Sequence, residues 1–113
     1  MPAEKNSLSG NTTMLLLSLL SEKDMYGYEM IETLQERSQN VFALKAGTLY
    51  PLLHSMEEKG YLSVYEQEAG GKLRKYYGIT KEGKGFLKSK QEEWKTYTKA
   101  VANVMGGEAY GNA

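Results

Sequence analysis

At Gly60 the spacing of apolar side chains in this chain changes from a helical rhythm to the two-residue alternation of a strand. Before that point Leu49, Leu52, Leu53 and Met56 recur at i, i+3, i+4 and i+7, one stripe of a helix. After it, Tyr61 to Glu68 and Leu73 to Thr80 are rich in Tyr, Val and Ile and flank Ala69-Gly70-Gly71-Lys72. That arrangement predicts a β-hairpin with a glycine tip. Leu62 and Val64 on one strand, and Tyr77 and Ile79 on the other, are expected to face the core, with Tyr76 on the opposite side.

Three helices are predicted ahead of the hairpin. Asn11 to Ser21 is apolar through Met14, Leu15, Leu16, Leu17, Leu19 and Leu20, so this helix is enclosed on most sides. Asn11, Thr12 or Thr13 can cap it with a side-chain oxygen. Tyr26 to about Gln39 carries Tyr26, Met30, Ile31 and Leu34 on one face and ends at Ser38-Gln39-Asn40. Gly27 in that stripe costs about 1 kcal/mol against alanine, which predicts the close approach of another backbone. The third helix runs from about Ala46 to Lys59 and stops at Gly60. Its free side presents Gly47, Tyr50, Pro51, His54, Ser55 and Glu58, with Pro51 expected in about the first turn.

After the hairpin, Thr80 is placed to cap a last helix, and Glu82 suits its first turn. This helix reaches to about Met105. Leu87, Trp94 and Val101 are seven apart, as are Lys90, Tyr97 and Val104, an a/d pattern. A helix of about 25 residues is about 37 Å long, more than a small domain needs. Its distal half is therefore expected to pack on a second copy. The chain divides into an N-terminal arm (1–10), a three-helix and hairpin domain (11–80), a dimerisation helix (81–105) and a frayed tail (106–113).

Composition narrows the chemistry. The chain has 113 residues and no cysteine, which excludes disulfides and zinc-thiolate sites. One histidine, His54, leaves no converging acid–base or metal set, and Gly70-Gly71 is not a phosphate-binding loop. No enzyme, cofactor or metal is expected. The longest apolar run, Met14 to Leu17, is too short for a membrane span, and nothing marks the chain for export, so the cytoplasm is the default. Net charge is zero, yet residues 1–71 hold 5 basic and 10 acidic side chains, while residues 72–99 hold 9 and 3. A basic segment on an acidic body suits a polyanion.

Helices followed by a basic, glycine-tipped hairpin form the pattern of a winged helix-turn-helix, a mainly α fold with a small hairpin. There the third helix enters the DNA major groove and the wing lies along the backbone. Met25-Tyr26-Gly27-Tyr28-Glu29, Gly47-Thr48-Leu49-Tyr50-Pro51-Leu52-Leu53, Glu57-Glu58-Lys59-Gly60-Tyr61-Leu62, Gly70-Gly71 with Arg74-Lys75-Tyr76-Tyr77, and Thr80-Lys81-Glu82-Gly83 carry a further likeness. Over about Leu8 to Val104 the chain resembles the PadR family of transcriptional regulators, in its short, multidrug-responsive form with one C-terminal helix.

The resemblance implies a homodimer on a double-stranded DNA operator, with the last helices packed on the partner's first helix. It implies repression relieved by a small aromatic or cationic effector held between a tryptophan from each chain. Trp94 stands at that place, and Thr13, Met14 and Thr98 match other positions of the pore. The DNA-contacting set is then Tyr28, Lys45, Gly47, Thr48, Tyr50, Pro51, His54, Lys72, Arg74 and Lys75. The dimer interface comprises Leu16, Leu87, Trp94, Tyr97, Val101 and Val104. Two departures stand out: Ser55 replaces a frequent arginine, and Lys72-Leu73 occupies a wing position that is often arginine-rich.

Each assignment has a plainer counterpart. Trp94 stacks a ligand or simply packs the dimer interface. Tyr50 touches DNA or is a core aromatic. His54 meets DNA or solvent, and Lys72, Arg74 and Lys75 meet phosphates or form a solvated edge that discourages aggregation. Lys84, Lys88 and Lys95 read as a solvated face. For the whole chain, the alternative to a ligand-responsive repressor is a winged-helix protein-interaction module without an operator.

Overall fold

The computed structural model describes residues 2–107, with side chains from residue 10 onward. The element order is α1 (Pro2–Glu22), β1 (Met25–Tyr26), α2 (Gly27–Arg37), α3 (Ala46–Glu58), β2 (Leu62–Ala69), β3 (Lys72–Ile79) and α4 (Lys81–Val104). The expected helices and hairpin are all present. One boundary differs widely. α1 starts at Pro2, well ahead of Asn11, so the segment read as an arm is helical from there. Proline is a favoured first helical residue, because its missing N–H would be unpartnered anyway. The tail expected over 106–113 falls outside the described residues beyond Gly107.

The sheet has three strands rather than two, in the order β1-β3-β2. Met25 pairs with Tyr77 and Tyr26 with Tyr76, so the connection after α1 adds a short antiparallel strand beside the hairpin. Gly70 and Gly71 both have positive φ, 63° and 80°, as a two-residue type I′ turn demands. This turn sets Ala69 opposite Lys72 and runs the register back to Leu62 opposite Ile79.

α2 ends at Arg37 through its local hydrogen bonds. The Ser38 hydroxyl donates to the Leu34 carbonyl (2.8 Å) and accepts from the Phe42 N–H (2.9 Å). Gln39 and Asn40 follow at positive φ, which asparagine tolerates better than most residues. α3 ends in a Schellman motif: Tyr61 N–H donates to Met56 C=O, Gly60 N–H donates to Glu57 C=O, and Gly60 takes φ 82°. Pro51 sits one and a half turns into α3 rather than in its first turn. It withholds the hydrogen bond that the Gly47 carbonyl would otherwise accept.

One core joins these elements. Leu16, Leu17 and Leu20 of α1, Met30 of α2, and Leu49, Leu53 and Met56 of α3 are fully buried. Leu62 and Tyr77 close it from the sheet and Leu87 from α4, with Val64 and Ile79 partly buried against it. The core-facing strand residues are thus those that the alternation assigned. α4 packs along α1 and is capped by Thr80, whose hydroxyl accepts from the Gly83 N–H at 3.0 Å.

Gly83 is buried in the first turn of α4, and a Cβ there would strike the Tyr61 carbonyl and Ile79. Gly85, two residues on, has open space around its Cα. Gly83→Ala is expected to destabilise the fold by about 1–3 kcal/mol through overpacking against backbone. Gly85→Ala is expected to be neutral or stabilising by up to about 1 kcal/mol, since alanine is the better helix former. Urea denaturation of the two variants checks this, and equal midpoints would mean that Gly83 is not a packing constraint.

Candidate nucleic-acid interface

The solvent side of α3 is built by exclusion. Leu49, Leu53 and Met56 face the core, which turns Gly47, Thr48, Tyr50, Pro51 and His54 outward, all exposed. Lys45 is the N-cap, is exposed, and makes no side-chain cap bond. The Thr48 N–H donates to the Lys45 carbonyl at 2.9 Å, but no side-chain oxygen caps the first turn of α3, and a lysine stands at the positive end of its dipole. Tyr28, in the first turn of α2, is 60% exposed. Ser55 is half-buried and lines a separate groove with Thr13, Leu52 and Tyr61.

Tyr50 spans both of its sequence readings. It is 46% exposed, and its hydroxyl end lies against Gly27, where a Cβ would overlap the ring. Gly27 thus admits a side chain of α3 rather than another backbone. His54 is exposed, with Glu58 one turn away at 3.4 Å. Burial pushes the Tyr77 hydroxyl above its usual range, assisted by the fields of Tyr50 and Glu57, so it stays neutral beneath this surface.

The hairpin contributes Lys72 and Lys75, both exposed, and Leu73, 67% exposed near the tip. Arg74 behaves differently. It is partly buried, its guanidinium carbon lies 4.4 Å from the centre of the Tyr26 ring, and its Nε donates to the Ala69 carbonyl at 3.3 Å. Tyr26 meets Tyr76 edge-on (centroids 5.5 Å apart), and Tyr76 stacks with Tyr65 at 5.7 Å. The Tyr65 hydroxyl donates to Asp24 at 2.7 Å, which raises its pKa. Sequence reading missed this aromatic row on the outer sheet face. The signal was available in the hairpin, where a two-residue turn sets Tyr65 opposite Tyr76, but two residues are too few to announce β1.

The second predicted site, along α4, comes together in part. Trp94 is 42% exposed and stacked on Tyr97 at 5.8 Å; Tyr97 and Val104 are 62% and 86% exposed. Val101 is half-buried. Leu16 and Leu87 lie in this chain's own core, so they offer almost no surface to a second copy. Two hollows flank Trp94. One of about 450 Å³ is lined by Asn11, Lys90, Glu93 and Tyr97. The other, of about 610 Å³, is lined by Met14, Ser18, Glu92 and Lys95. Met14 therefore shares a hollow with Trp94. Thr13 instead faces the groove beside Ser55, and the Thr98 hydroxyl donates to the Trp94 carbonyl at 3.0 Å.

This architecture has counterparts among known proteins. The model of the transcriptional regulator PadR-like family matches residues 16–89, from α1 into the first part of α4. The chain belongs to the PadR-like family. Among solved structures, a PadR family transcription regulator from hypervirulent Clostridium difficile R20291 is 40% identical, covering 83% of this chain and 97% of that one, at a TM-score of 0.72. A transcriptional regulator from Clostridium thermocellum is 35% identical, covering 85% and 94%, at a TM-score of 0.77. Bacillus subtilis PadR in complex with operator DNA is similar in fold, with a TM-score of 0.62 at 24% identity, covering 69% of this PadR-like chain and 45% of that protein. Among the described residues, no helix is long and apolar enough to cross a membrane.

Proposed function

We propose that this PadR-like chain is a sequence-specific DNA-binding transcriptional regulator, a dimeric repressor released from its operator by a small aromatic or cationic effector. The observation that carries the reading is the exposed face of α3, with Thr48, Tyr50, Pro51 and His54 outward, beside a hairpin bearing Lys72, Arg74 and Lys75. A helix with small and aromatic groups suits base edges and thymine methyls, and cations on an adjoining hairpin suit phosphates. Bacillus subtilis PadR, which is similar in fold, is itself solved in complex with operator DNA.

The dimer reading rests on the distal part of α4. Trp94, Tyr97, Val104 and Met105 are all exposed, a concentration of apolar surface that a second copy would cover. The effector reading rests on the hollows beside Trp94, whose volumes suit a small molecule. Their charged lining is mixed, with Lys90 paired to Glu93 at 3.1 Å in one and Lys88 and Lys95 beside Glu92 in the other, so the indole face, through stacking or cation–π attraction, is what favours a planar aromatic ligand. Such a ligand releases DNA only when it prefers a dimer whose wing spacing mismatches the operator.

Footprinting on the DNA flanking its own gene is expected to reveal a protected site whose affinity falls steeply with salt, because neutralised phosphates release counterions. Tyr50→Ala should relax sequence choice with little change in the salt slope, whereas Lys75→Ala should weaken all sequences and flatten the slope by about one unit. A chain that binds every sequence equally at physiological salt is an interaction module instead.

Replacing Val101 and Val104 together by Asp should convert a dimer to monomers in sedimentation, since buried unpaired carboxylates oppose association. As the only tryptophan, Trp94 reports directly on its own site. Planar cationic dyes should quench its fluorescence, and Trp94→Ala should abolish their effect on DNA binding while the dimer persists. An alanine variant that still responds with unchanged affinity would leave Trp94 as interface packing only.

A further inference from the structure

Arg74 is held in a way that its basic neighbours are not. Lys72 and Lys75 stand free on the hairpin. The Arg74 guanidinium lies over the Tyr26 ring and is pinned through Nε to the Ala69 carbonyl. The ring beneath it is fixed in turn: Tyr26 belongs to β1, pairs with Tyr76 across the sheet, and meets that residue edge-on. Tyr76 stacks on Tyr65, whose hydroxyl is anchored on Asp24. A row of three rings thus links the connection after α1 to one arginine on the wing.

Geometry decides what this row does. An arginine has five N–H donors, and Ala69 takes only the one on Nε. Among the described residues, no hydrogen-bond partner is found for either Nη group. The remaining donors form the planar fork that matches a phosphate, and Tyr26 limits the rotations that would otherwise be lost on binding. We infer that Tyr26 is a positioning residue that holds the Arg74 guanidinium ready for a DNA phosphate. The inference rests on the reading of α3 and the hairpin as a DNA-contacting surface.

The test has one arm without DNA and one with it. In the free protein, the Arg74 Nε–H proton should be displaced in its NMR spectrum by the Tyr26 ring current. Tyr26→Phe should preserve that displacement and Tyr26→Leu should abolish it, with cross-strand contacts of the hairpin intact in both. In the DNA arm, Tyr26→Leu should weaken binding about two- to five-fold, the worth of an exposed cation–π contact. Tyr26→Phe should bind like the parent, and Tyr26→Leu should have no effect in an Arg74→Ala background.

An undisplaced Nε–H, or the same penalty in both backgrounds, overturns the positioning role. A parent protein that binds DNA while these variants act additively overturns this inference alone. A parent protein with a displaced Nε–H and no salt-dependent DNA binding overturns the DNA reading, and the phosphate role with it.

Discussion

The fold converges on the Thr80 hydroxyl. It donates to the Gly60 carbonyl at 2.6 Å and accepts from the Gly83 N–H at 3.0 Å, while the Thr80 N–H donates to Tyr61 C=O at 3.0 Å. One residue therefore ties the end of α3, the entry to β2, the exit of β3 and the first turn of α4. Gly60 must take a positive φ to reverse the chain there. Gly83 must lack a Cβ to let α4 approach the Tyr61 carbonyl. If this junction were to loosen, the hairpin and the outward face of α3 would lose their fixed relation. Both proposed contacts with DNA depend on that relation.

Charge is distributed to match. Carboxylates outnumber cations through residue 71, and the excess of Lys and Arg begins at β3, the second strand of the hairpin, while β2 carries Glu66, opposite Lys75, and Glu68. Several acidic groups of the body are already engaged: Glu22 forms a bidentate pair with Arg37, and Glu29 meets Lys23 at 2.8 Å. These pairs are largely solvent-accessible, so they contribute little to stability, but each offsets the charge of its carboxylate. Lys72 and Lys75 are left uncovered on the hairpin, and Arg74 is held beside them.

Most of the scaffold was legible because its signals are local. The Leu49, Leu52, Leu53, Met56 stripe identifies the buried side of α3, and its complement names the outward residues. Gly70-Gly71 identifies the turn, and the turn sets the register. Thr80 and Glu82 mark the start of α4. What escaped was either too short or non-local. β1 is two residues long and exists only because β3 offers an unpaired edge beside it. Likewise Leu16 and Leu87 share an apolar identity with interface positions, and packing within the chain claims them for its own core.

The sequence by itself determined which residues are helical, where the hairpin turns, and which face of each element is apolar, because these follow from periodicity and from glycine, threonine and proline chemistry. Only the tertiary structure decided which of those residues meet. It parted Thr13 from Trp94 by turning them toward different grooves, laid the Tyr50 hydroxyl against Gly27, and brought Tyr26 under Arg74. The physical reason is sequence separation: Tyr26 and Arg74 stand in different elements, and no local propensity encodes a contact that forms only when β1 docks on β3.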